Sequence, residues 1–308
     1  MTSYKSELFN DIEMSEVLLK AIEISRAGYD FKNDLNKISV TSLINPPKYI
    51  ELHRRHHGEY QTPVSKCVRA FVGTAVHEAV EKVKLDGLIS EKRLEASFED
   101  FIVSGKFDIL LLTDSYGLED MKVTSFWSIV YDSKGKKEWI EQMNIYKFLV
   151  EENYDPIKVK SLKVNAILYD WSPNIQKYFP PAPDVPEKTV DIEIWPPAKL
   201  ESFLRKRIAL YKEAQALPDD EIPICTDKER WHQPKKYLAI KEGNKNPTKS
   251  FYSYSQLKMF LAASIKQNIK YNVEIKEAID YRCTQYCFAK QFCNYWRKQY
   301  GDDKCKKN

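Results

Sequence analysis

Apolar and polar positions alternate with two different periods along the chain, and the period predicts which segments are helices and which are strands. Helical spacing of apolar residues is found in residues 68–84, 137–151 and 198–216. Strand-like patterns in residues 105–112 and 118–126 flank a segment of turn composition, residues 113–117, and together they predict a β-hairpin. Residues 161–170 predict a further strand. This mixture predicts an α/β or α+β fold with a sheet core flanked by helices.

The composition is typical of a globular protein without a membrane span. Apolar residues make up 43% of the 308 residues and charged residues 30%. The longest aliphatic run, Ile109–Leu112, is far shorter than the ~20 residues that a transmembrane helix needs. The first residues include acids and no small-residue cleavage site, so they do not predict a signal peptide. We therefore expect a cytoplasmic protein whose thiols stay reduced.

Positive charge is concentrated towards the C-terminus. The net charge is only +4, yet residues 226–250 carry seven Lys/Arg against three Asp/Glu, and residues 281–308 carry seven against two. The chain from about residue 217 onward therefore has the composition of an appended basic lobe. Such a lobe suits a polyanionic partner, although charge alone is explained as well by a solvated lysine-rich surface.

The predicted hairpin carries two carboxylates and a lysine. Asp108 lies on its first strand, whereas Asp120 and Lys122 lie on its second strand, where residues two apart share a face. If the hairpin brings the carboxylates together, a divalent cation, Mg²⁺ or Mn²⁺, would relieve their repulsion. Lys122 would then orient a water molecule or stabilise charge that develops on a phosphate. A D-x-K triplet alone is common by chance, and a pair of surface acids is the plainer interpretation.

Two predicted helices add further candidates. On the first, Gly73 precedes His77 by one turn, so the glycine would allow close helix packing and the histidine could bind a metal. Gln142 and Tyr146 stand four residues apart on one face of a later helix, from which both could reach a phosphate or a base. For each of these side chains an ordinary packed or solvated position is the plainer interpretation.

In chain order these motifs are G-x-x-x-H, G-x-x-D, D-x-K and Q-x-x-x-Y. Together they resemble the RecB-like branch of the PD-(D/E)XK nuclease superfamily, and in particular its bacteriophage exonucleases and CRISPR-associated exonucleases. The resemblance runs from about Ser39 to Tyr146 and resumes at the C-terminal cysteines. It implies a restriction-endonuclease-like core, with a central mixed sheet flanked by helices. A phage-encoded member would act in the cytoplasm of its host.

The resemblance also implies a role for each residue of the motifs. His77, Asp108 and Asp120 would bind the divalent metal, together with the backbone carbonyl of Met121. Lys122 would position or activate the attacking water. The set therefore predicts metal-dependent hydrolysis of a phosphodiester bond.

Three cysteines lie close together in a chain that has six: Cys283, Cys287 and Cys293. An odd trio cannot pair internally, and disulfides are disfavoured in a reducing compartment. Structural zinc sites usually combine two closely spaced doublets, whereas a four-thiolate iron–sulfur cluster suits one triplet plus a distant cysteine. The spacing leaves both a zinc site and an iron–sulfur cluster open, and it favours the iron–sulfur cluster.

The resemblance favours a 4Fe-4S cluster but leaves its fourth ligand open. Iron–sulfur nucleases of the RecB-like kind commonly carry C-x2-C-x5-C, whereas this chain has C-x3-C-x5-C. The CRISPR-associated relatives supply the fourth cysteine from an N-terminal Cys-Pro pair, and here Asn45 precedes Pro46. Our candidate for the fourth ligand is Cys225, with Cys305 second and Cys67 interpreted as an ordinary semi-buried thiol.

The implied function is that of a metal-dependent DNA exonuclease in which Gln142 and Tyr146 hold the DNA near the metal. We expect residues 1–216 to form the nuclease core with an N-terminal helical region, and residues 217–308 to form a basic iron–sulfur lobe. The expected partners are single-stranded DNA or duplex ends, and a recombination or single-strand-binding protein; an oligomer is compatible with the sequence. The alternatives are an endonuclease or trimming subunit of a larger complex, and an inactive iron–sulfur DNA-binding protein.

Overall fold

The computed structural model describes residues 8–26, 34–112, 115–179, 181–266 and 268–301. The chain divides into two compact units, residues 1–218 and residues 219–308. The sequence pattern places this boundary between residues 216 and 217. In the described parts of both units, no helix has the length and apolar character needed to cross a membrane.

The first unit contains a six-stranded sheet flanked by helices. Its helices are α1 (Glu16–Arg26), α2 (Val40–Leu43), α3 (Pro47–Arg55), α4 (Val68–Glu81), α5 (Trp127–Tyr131), α6 (Lys137–Asn153), α7 (Pro173–Tyr178) and α8 (Pro197–Ala216). Its strands are β1 (Leu8–Phe9), β2 (Lys37–Ser39), β3 (Thr62–Pro63), β4 (Leu88–Phe98), β5 (Phe101–Leu111), β6 (Gly117–Thr124), β7 (Ser161–Leu168) and β8 (Glu187–Asp191).

The large sheet mixes parallel and antiparallel neighbours. Its order is β2-β5-β6-β7-β8, and β4 pairs with the other edge of β5. The pairs β2–β5 and β6–β7 are parallel, whereas β4–β5, β5–β6 and β7–β8 are antiparallel. The prediction of an α/β fold with a central mixed sheet flanked by helices is therefore confirmed.

Strand β5 shares one of its edges between two neighbours. Residues 102–104 pair with β2, and residues 109–111 pair with β6. Within the described chain, residues 105–108 between them have no strand partner on that edge, so the sheet opens at Asp108. The β5–β6 pair is the predicted hairpin, although Thr113 and Asp114 of its predicted turn lie outside the described residues.

Helix α6 packs on one face of this sheet at a glycine. A Cβ atom added to Gly105 would lie 2.6 Å from Val40 Cγ2, 2.7 Å from Tyr146 Cε1 and 3.1 Å from Leu149 Cδ1. Only a residue without a side chain allows this approach. The close packing predicted at Gly73 is wrong, because a Cβ added there meets nothing within 4 Å.

The second unit has smaller sheets and shorter helices. Its helices are α9 (Asp227–Arg230), α10 (Tyr254–Lys266) and α11 (Asn294–Tyr300), and its strands are β9 (His232–Gln233), β10 (Lys236–Lys241), β11 (Lys249–Phe251), β12 (Tyr271–Lys276) and β13 (Ile279–Asp280). Strand β10 is central in the order β11-β10-β12, and β9 pairs with β13. Helix α10 covers one face of the three-stranded sheet, where Ala239, Phe251 and Leu257 form a small core.

Replacing Gly105 by alanine should destabilise the first unit by about 1–3 kcal/mol, because the added methyl group overpacks the contact between β5 and α6. Urea unfolding followed by circular dichroism measures the change. Gly73→Ala is the matched control, since its methyl group has free space and alanine favours a helix more than glycine does. Equal stability of the Gly105→Ala and wild-type proteins would contradict the packing described.

Candidate functional site

Two carboxylates meet where β5 and β6 begin to separate. The register pairs Ile109 with Glu119, so Asp108 and Asp120 occupy the next facing positions and point to the same side of the sheet. Asp108 Oδ2 accepts a hydrogen bond from the backbone N–H of Met121 at 2.6 Å. The hairpin therefore brings together the two aspartates that the sequence singled out.

A third carboxylate, Glu91, lies beside Asp108 on strand β4. The register pairs Ser90 with Ile109, so Glu91 faces Asp108. Glu91 is itself missing from the ladder and has a φ of 51°, in the left-handed region that residues other than glycine rarely adopt. Its side chain is only 3% exposed. Glu91, Asp108 and Asp120 thus form one row across three neighbouring strands.

Helix α4 places His77 against this row. Its Nδ1 atom lies 3.0 Å from Glu91 Oε1 and 3.3 Å from Asp108 Oδ2. Hydrogen bonds to Asp108 and then to Glu91 raise the pKa of His77 to about 10. His77 is therefore an imidazolium ion at neutral pH when no other cation is present, and a metal ion would have to displace its proton.

Asp120 is the most deeply buried of the three carboxylates. Burial, and next the charge of Asp108, raise its pKa to about 6, although the charge of Lys122 opposes the rise. Lys122 Nζ lies 2.6 Å from Asp120 Oδ2, but this ion pair is not aligned as a hydrogen bond. Within the described chain, neither carboxylate oxygen of Asp120 has a hydrogen-bond partner. Asp120 Oδ2 is thus paired with the Lys122 ammonium, and Oδ1 is left for a further cation.

Lys106 provides a third positive charge at the row, after His77 and Lys122. Its Nζ atom lies 2.7 Å from Glu91 Oε2. Burial acts to raise the pKa of Glu91, but hydrogen bonds from His77 and Lys106 outweigh it and hold that pKa below its ordinary value. Glu91 is consequently ionised at neutral pH and offers a charged oxygen to a ligand.

The donor atoms suit a hard divalent ion. Among the described residues, His77, Glu91 and Asp108 form a group in which three ligand atoms lie within 4.8 Å of one another. Asp120, whose oxygens accept no hydrogen bond from the described residues, adjoins them. Carboxylate oxygens with a single imidazole suit Mn²⁺ or Mg²⁺.

Sequence patterns did not single out Glu91. It lies in the strand segment Ser90-Glu91-Lys92-Arg93, whose charges look like those of an exposed strand. Nothing in the local sequence marks its left-handed backbone. Its position in the strand that precedes the hairpin is the one feature of the sequence that could have indicated Glu91 as a ligand. An antiparallel neighbour of a metal-binding strand can contribute a side chain to the same row.

Gln142 and Tyr146 occupy a different environment from the predicted one. They are 8% and 5% exposed, and Gln142 Nε2 donates to Tyr146 Oη at 3.0 Å. Tyr146 also lies against Gly105 in the sheet. Their burial does not favour the predicted direct contact with DNA, and it indicates that both side chains hold α6 against the sheet.

The predicted cysteine ligands lie near one another in the second unit. Burial, and then the neighbouring Cys225 and Cys293, raise the pKa of Cys283 to about 12. The pKa of Cys287 is also raised, first by burial and then by Cys283, Cys225 and Cys293. No three described cysteine sulfurs lie within 4.8 Å of one another. The thiols are therefore neighbours without being gathered around a single ion, and the cluster stays a prediction.

Asp280 organises the chain around these cysteines. Its Oδ2 accepts hydrogen bonds from Tyr295 Oη at 2.7 Å and Tyr300 Oη at 3.0 Å, and its Oδ1 lies 2.8 Å from His232 Nδ1 and 3.2 Å from Arg230 Nε. Burial acts to raise the pKa of Asp280, but these hydrogen bonds hold it below the ordinary value. One buried carboxylate thus ties together segments on both sides of the cysteine triplet.

The other positions discussed as cluster ligands lie elsewhere. Asn45 receives through its backbone carbonyl a hydrogen bond from Tyr211 Oη at 3.0 Å, and Arg207 Nε donates to the neighbouring Leu43 carbonyl at 2.6 Å. Cys67 is buried in a small apolar core with Ile22, which agrees with the interpretation of an ordinary thiol. Cys305 lies outside the described residues.

Comparisons with known proteins add little to this geometry. No family model matches the chain, and no curated protein matches it. A solved structure described as "Crystal structure of SSO0001" is similar, with a TM-score of 0.41 and 17% identity over 63% of this chain and 84% of that chain. That likeness is too remote to carry an argument about this protein.

Replacing Glu91 by glutamine should weaken Mn²⁺ binding on the order of 10–100-fold, because the change removes a charged oxygen and frees His77 from its partner. Isothermal titration of the metal-free protein measures the affinity. Glu95→Gln is the matched control, since Glu95 lies on the same strand and pairs with Lys37 away from the row. Unchanged Mn²⁺ affinity in Glu91→Gln would exclude Glu91 from the site.

Proposed function

We propose that this protein is a divalent-metal-dependent DNA exonuclease of the RecB-like PD-(D/E)XK kind. The observation that carries the proposal is the convergence of His77, Asp108, Asp120 and Lys122 on one face of the sheet, with Glu91 added to the set. A mixed sheet with a D-x-K strand beside a second aspartate is the arrangement that the motif order implies. Nucleic acid is also the polyanion that the basic second unit suits.

In this proposal His77, Glu91, Asp108 and Asp120 hold the metal, with the backbone carbonyl of Met121 as a further ligand. The bound ion would polarise the scissile phosphate and lower the pKa of a coordinated water. The protein's own part is to hold three carboxylates adjacent to one another. Asp108 is oriented by the N–H of Met121, and Glu91 is oriented by Lys106.

Lys122 has two roles in the proposed reaction. Its ammonium group offsets the charge of buried Asp120, which keeps that carboxylate ready to bind a cation. The same group can donate to the attacking water and to the phosphate oxygens on which negative charge develops. Removing Lys122 would therefore affect both metal binding and the chemical step.

The second unit is proposed to hold a 4Fe-4S cluster on Cys225, Cys283, Cys287 and Cys293. The donor set fits, because four thiols are neighbours and the backbone N–H of Ala289 already hydrogen-bonds to Cys287. Tetrahedral zinc, with Zn–S bonds of ~2.3 Å, would require sulfur separations of roughly 4 Å. The described sulfurs do not meet that requirement as a group of three; the proposed cluster would have a structural role.

A buried donor in the same segment also supports a missing group. Trp296, three residues after Cys293, has an indole N–H that is buried without a hydrogen-bond partner in the described chain. Buried N–H groups are normally hydrogen-bonded. Cluster sulfides and thiolates accept hydrogen bonds, so an iron–sulfur cluster fits this donor better than an empty apolar pocket does.

Replacing Asp120 by asparagine, or Lys122 by alanine, should lower the rate of DNA cleavage at least 10²–10³-fold, about the effect of removing one electrostatic group from an active site. Release of nucleotides from linear DNA with Mn²⁺ present measures the rate. Glu119→Gln is the matched control, because Glu119 lies beside Asp120 but its side chain accepts from Asn165. Undiminished cleavage by Asp120→Asn would refute the proposed centre.

Covalently closed circular DNA separates the alternatives in the same assay. An exonuclease leaves the circle intact, whereas an endonuclease nicks it. A wild-type protein that degrades neither substrate with Mn²⁺ or Mg²⁺ would instead support an inactive DNA-binding protein.

Anaerobically purified protein should be brown, with broad absorption near roughly 400 nm, as expected of an iron–thiolate cluster. Cys225→Ser should lose the colour and bound iron, whereas Cys67→Ser should retain both because Cys67 is packed in the first unit. Absorption spectra and metal analysis measure this. A colourless protein that contains zinc would refute the iron–sulfur assignment.

A further inference from the structure

The segment from Lys235 to Lys276 concentrates the positive charge of the protein. These residues comprise β10, β11, α10 and β12, and they contain nine lysines and two glutamates, a net charge of +7. The whole chain has a net charge of +4, so the rest of the chain is slightly acidic. This excess of positive charge marks the segment as a candidate surface for a polyanion.

Little of this charge is neutralised within the protein. Among the described side chains of the segment, Lys235 forms an ion pair, with Glu277 at 2.8 Å. Lys241, Lys245 and Lys249 are exposed, and among the described side chains none of them forms an ion pair with a carboxylate. A solvated lysine surface needs no particular arrangement, so the positions of the neighbouring aromatic rings distinguish a binding surface from a merely solvated one.

Aromatic rings and lysines are interleaved beside helix α10. Tyr237 and Tyr254 have ring centroids 5.6 Å apart. Lys235 Nζ lies 5.6 Å from the centroid of Tyr237, and Lys258 Nζ lies 4.8 Å from that of Tyr254. Tyr254 is 51% exposed although it is a large ring. Each tyrosine of the pair thus has a cation at its face.

Strand periodicity adds Lys249 to the same side. The ladder pairs Ala239 with Lys249, and Ala239 faces α10 in the small core of this unit. Lys249 Nζ accordingly lies 5.2 Å from the ring centroid of Phe260 on α10. We name the set Lys235, Tyr237, Lys249, Tyr254 and Lys258 the lysine–tyrosine face.

We propose that the lysine–tyrosine face binds single-stranded DNA without sequence preference. The lysines contact successive phosphates, and unpaired bases stack on the exposed ring of Tyr254, which lies beside the partly buried Tyr237; this is how proteins hold single strands of any sequence. The lysine ammonium groups now at the rings are on flexible stems and can move to phosphates when a base takes their place. The identification of the polyanion as DNA rests on the proposed nuclease function. The proposal that this face binds a single-stranded polyanion does not depend on that function.

The chemistry of the face favours a single strand over other polyanions and over a protein. In a duplex the bases are stacked on one another, so the rings would have nothing to stack on. A protein partner would require acidic groups matched to the lysines, and it would leave the exposed ring of Tyr254 without a specific use. The aromatic rings therefore favour a single strand over a duplex and over a protein partner.

Binding is measured by the fluorescence anisotropy of a labelled oligothymidylate with the full chain at several salt concentrations. A chelator is present throughout, so that no cleavage occurs. The triple variant Lys235→Gln, Lys249→Gln, Lys258→Gln should reduce the slope of log affinity against log salt by about 2, at ~0.7 per phosphate contact on a single strand. Tyr254→Ala should weaken binding on the order of tenfold, and Tyr254→Phe should not.

The matched control replaces three exposed lysines of the first unit, Lys134, Lys188 and Lys206, by glutamine. It should keep the wild-type slope and affinity. An unchanged slope in the first triple variant, or an equal loss in the control, would overturn the proposal. So would duplex DNA or RNA binding better than single-stranded DNA, or equal binding by Tyr254→Ala and Tyr254→Phe.

These outcomes are distinct from a failure of the proposed nuclease. A protein that cleaves no DNA but whose binding depends on the lysine–tyrosine face would refute the nuclease and support this surface. A protein that cleaves DNA while the triple variant binds normally would support the nuclease and refute this surface.

Discussion

The arrangement of the first unit depends on three carboxylates held side by side on a buried sheet face. Burial removes the water that would otherwise screen the repulsion between Glu91, Asp108 and Asp120, so each one requires a cation or a hydrogen-bond donor nearby. The protein supplies these locally through His77, Lys106 and Lys122. The compensation is incomplete at Asp120, whose pKa is raised to about 6. A divalent cation would supply the positive charge that is lacking there.

Two interruptions of regular strand pairing accompany this row. The edge of β5 is unpaired at residues 105–108, which lets the N–H of Met121 donate to the side chain of Asp108. On the opposite edge, Glu91 leaves the ladder in a left-handed conformation that costs roughly 1–3 kcal/mol. Two interruptions of the ladder on neighbouring strands therefore prepare the site, and the packing at Gly105 holds the sheet in place around it.

The second unit also contains a buried carboxylate whose charge is compensated by neighbouring side chains. Buried Asp280 accepts hydrogen bonds from two tyrosines and contacts Arg230 and His232, which anchors the cysteine segment at both ends. This anchor belongs to the polypeptide and does not require a bound cluster. In the first unit, Tyr211 and Arg207 donate hydrogen bonds to the backbone at Asn45 and Leu43. This segment is thus stabilised by hydrogen bonds to the backbone.

The sequence by itself determined the main helices and strands, and it determined which charged residues share a face of one strand. The period of two places Asp120 and Lys122 on one face whatever the fold, and the hairpin composition predicts that Asp108 lies next to them. Only the tertiary structure decided that Glu91 joins the row and that Gln142 is buried. Both depend on register and packing between segments distant in the chain, and the backbone of Glu91 is fixed by its surroundings and not by local propensity.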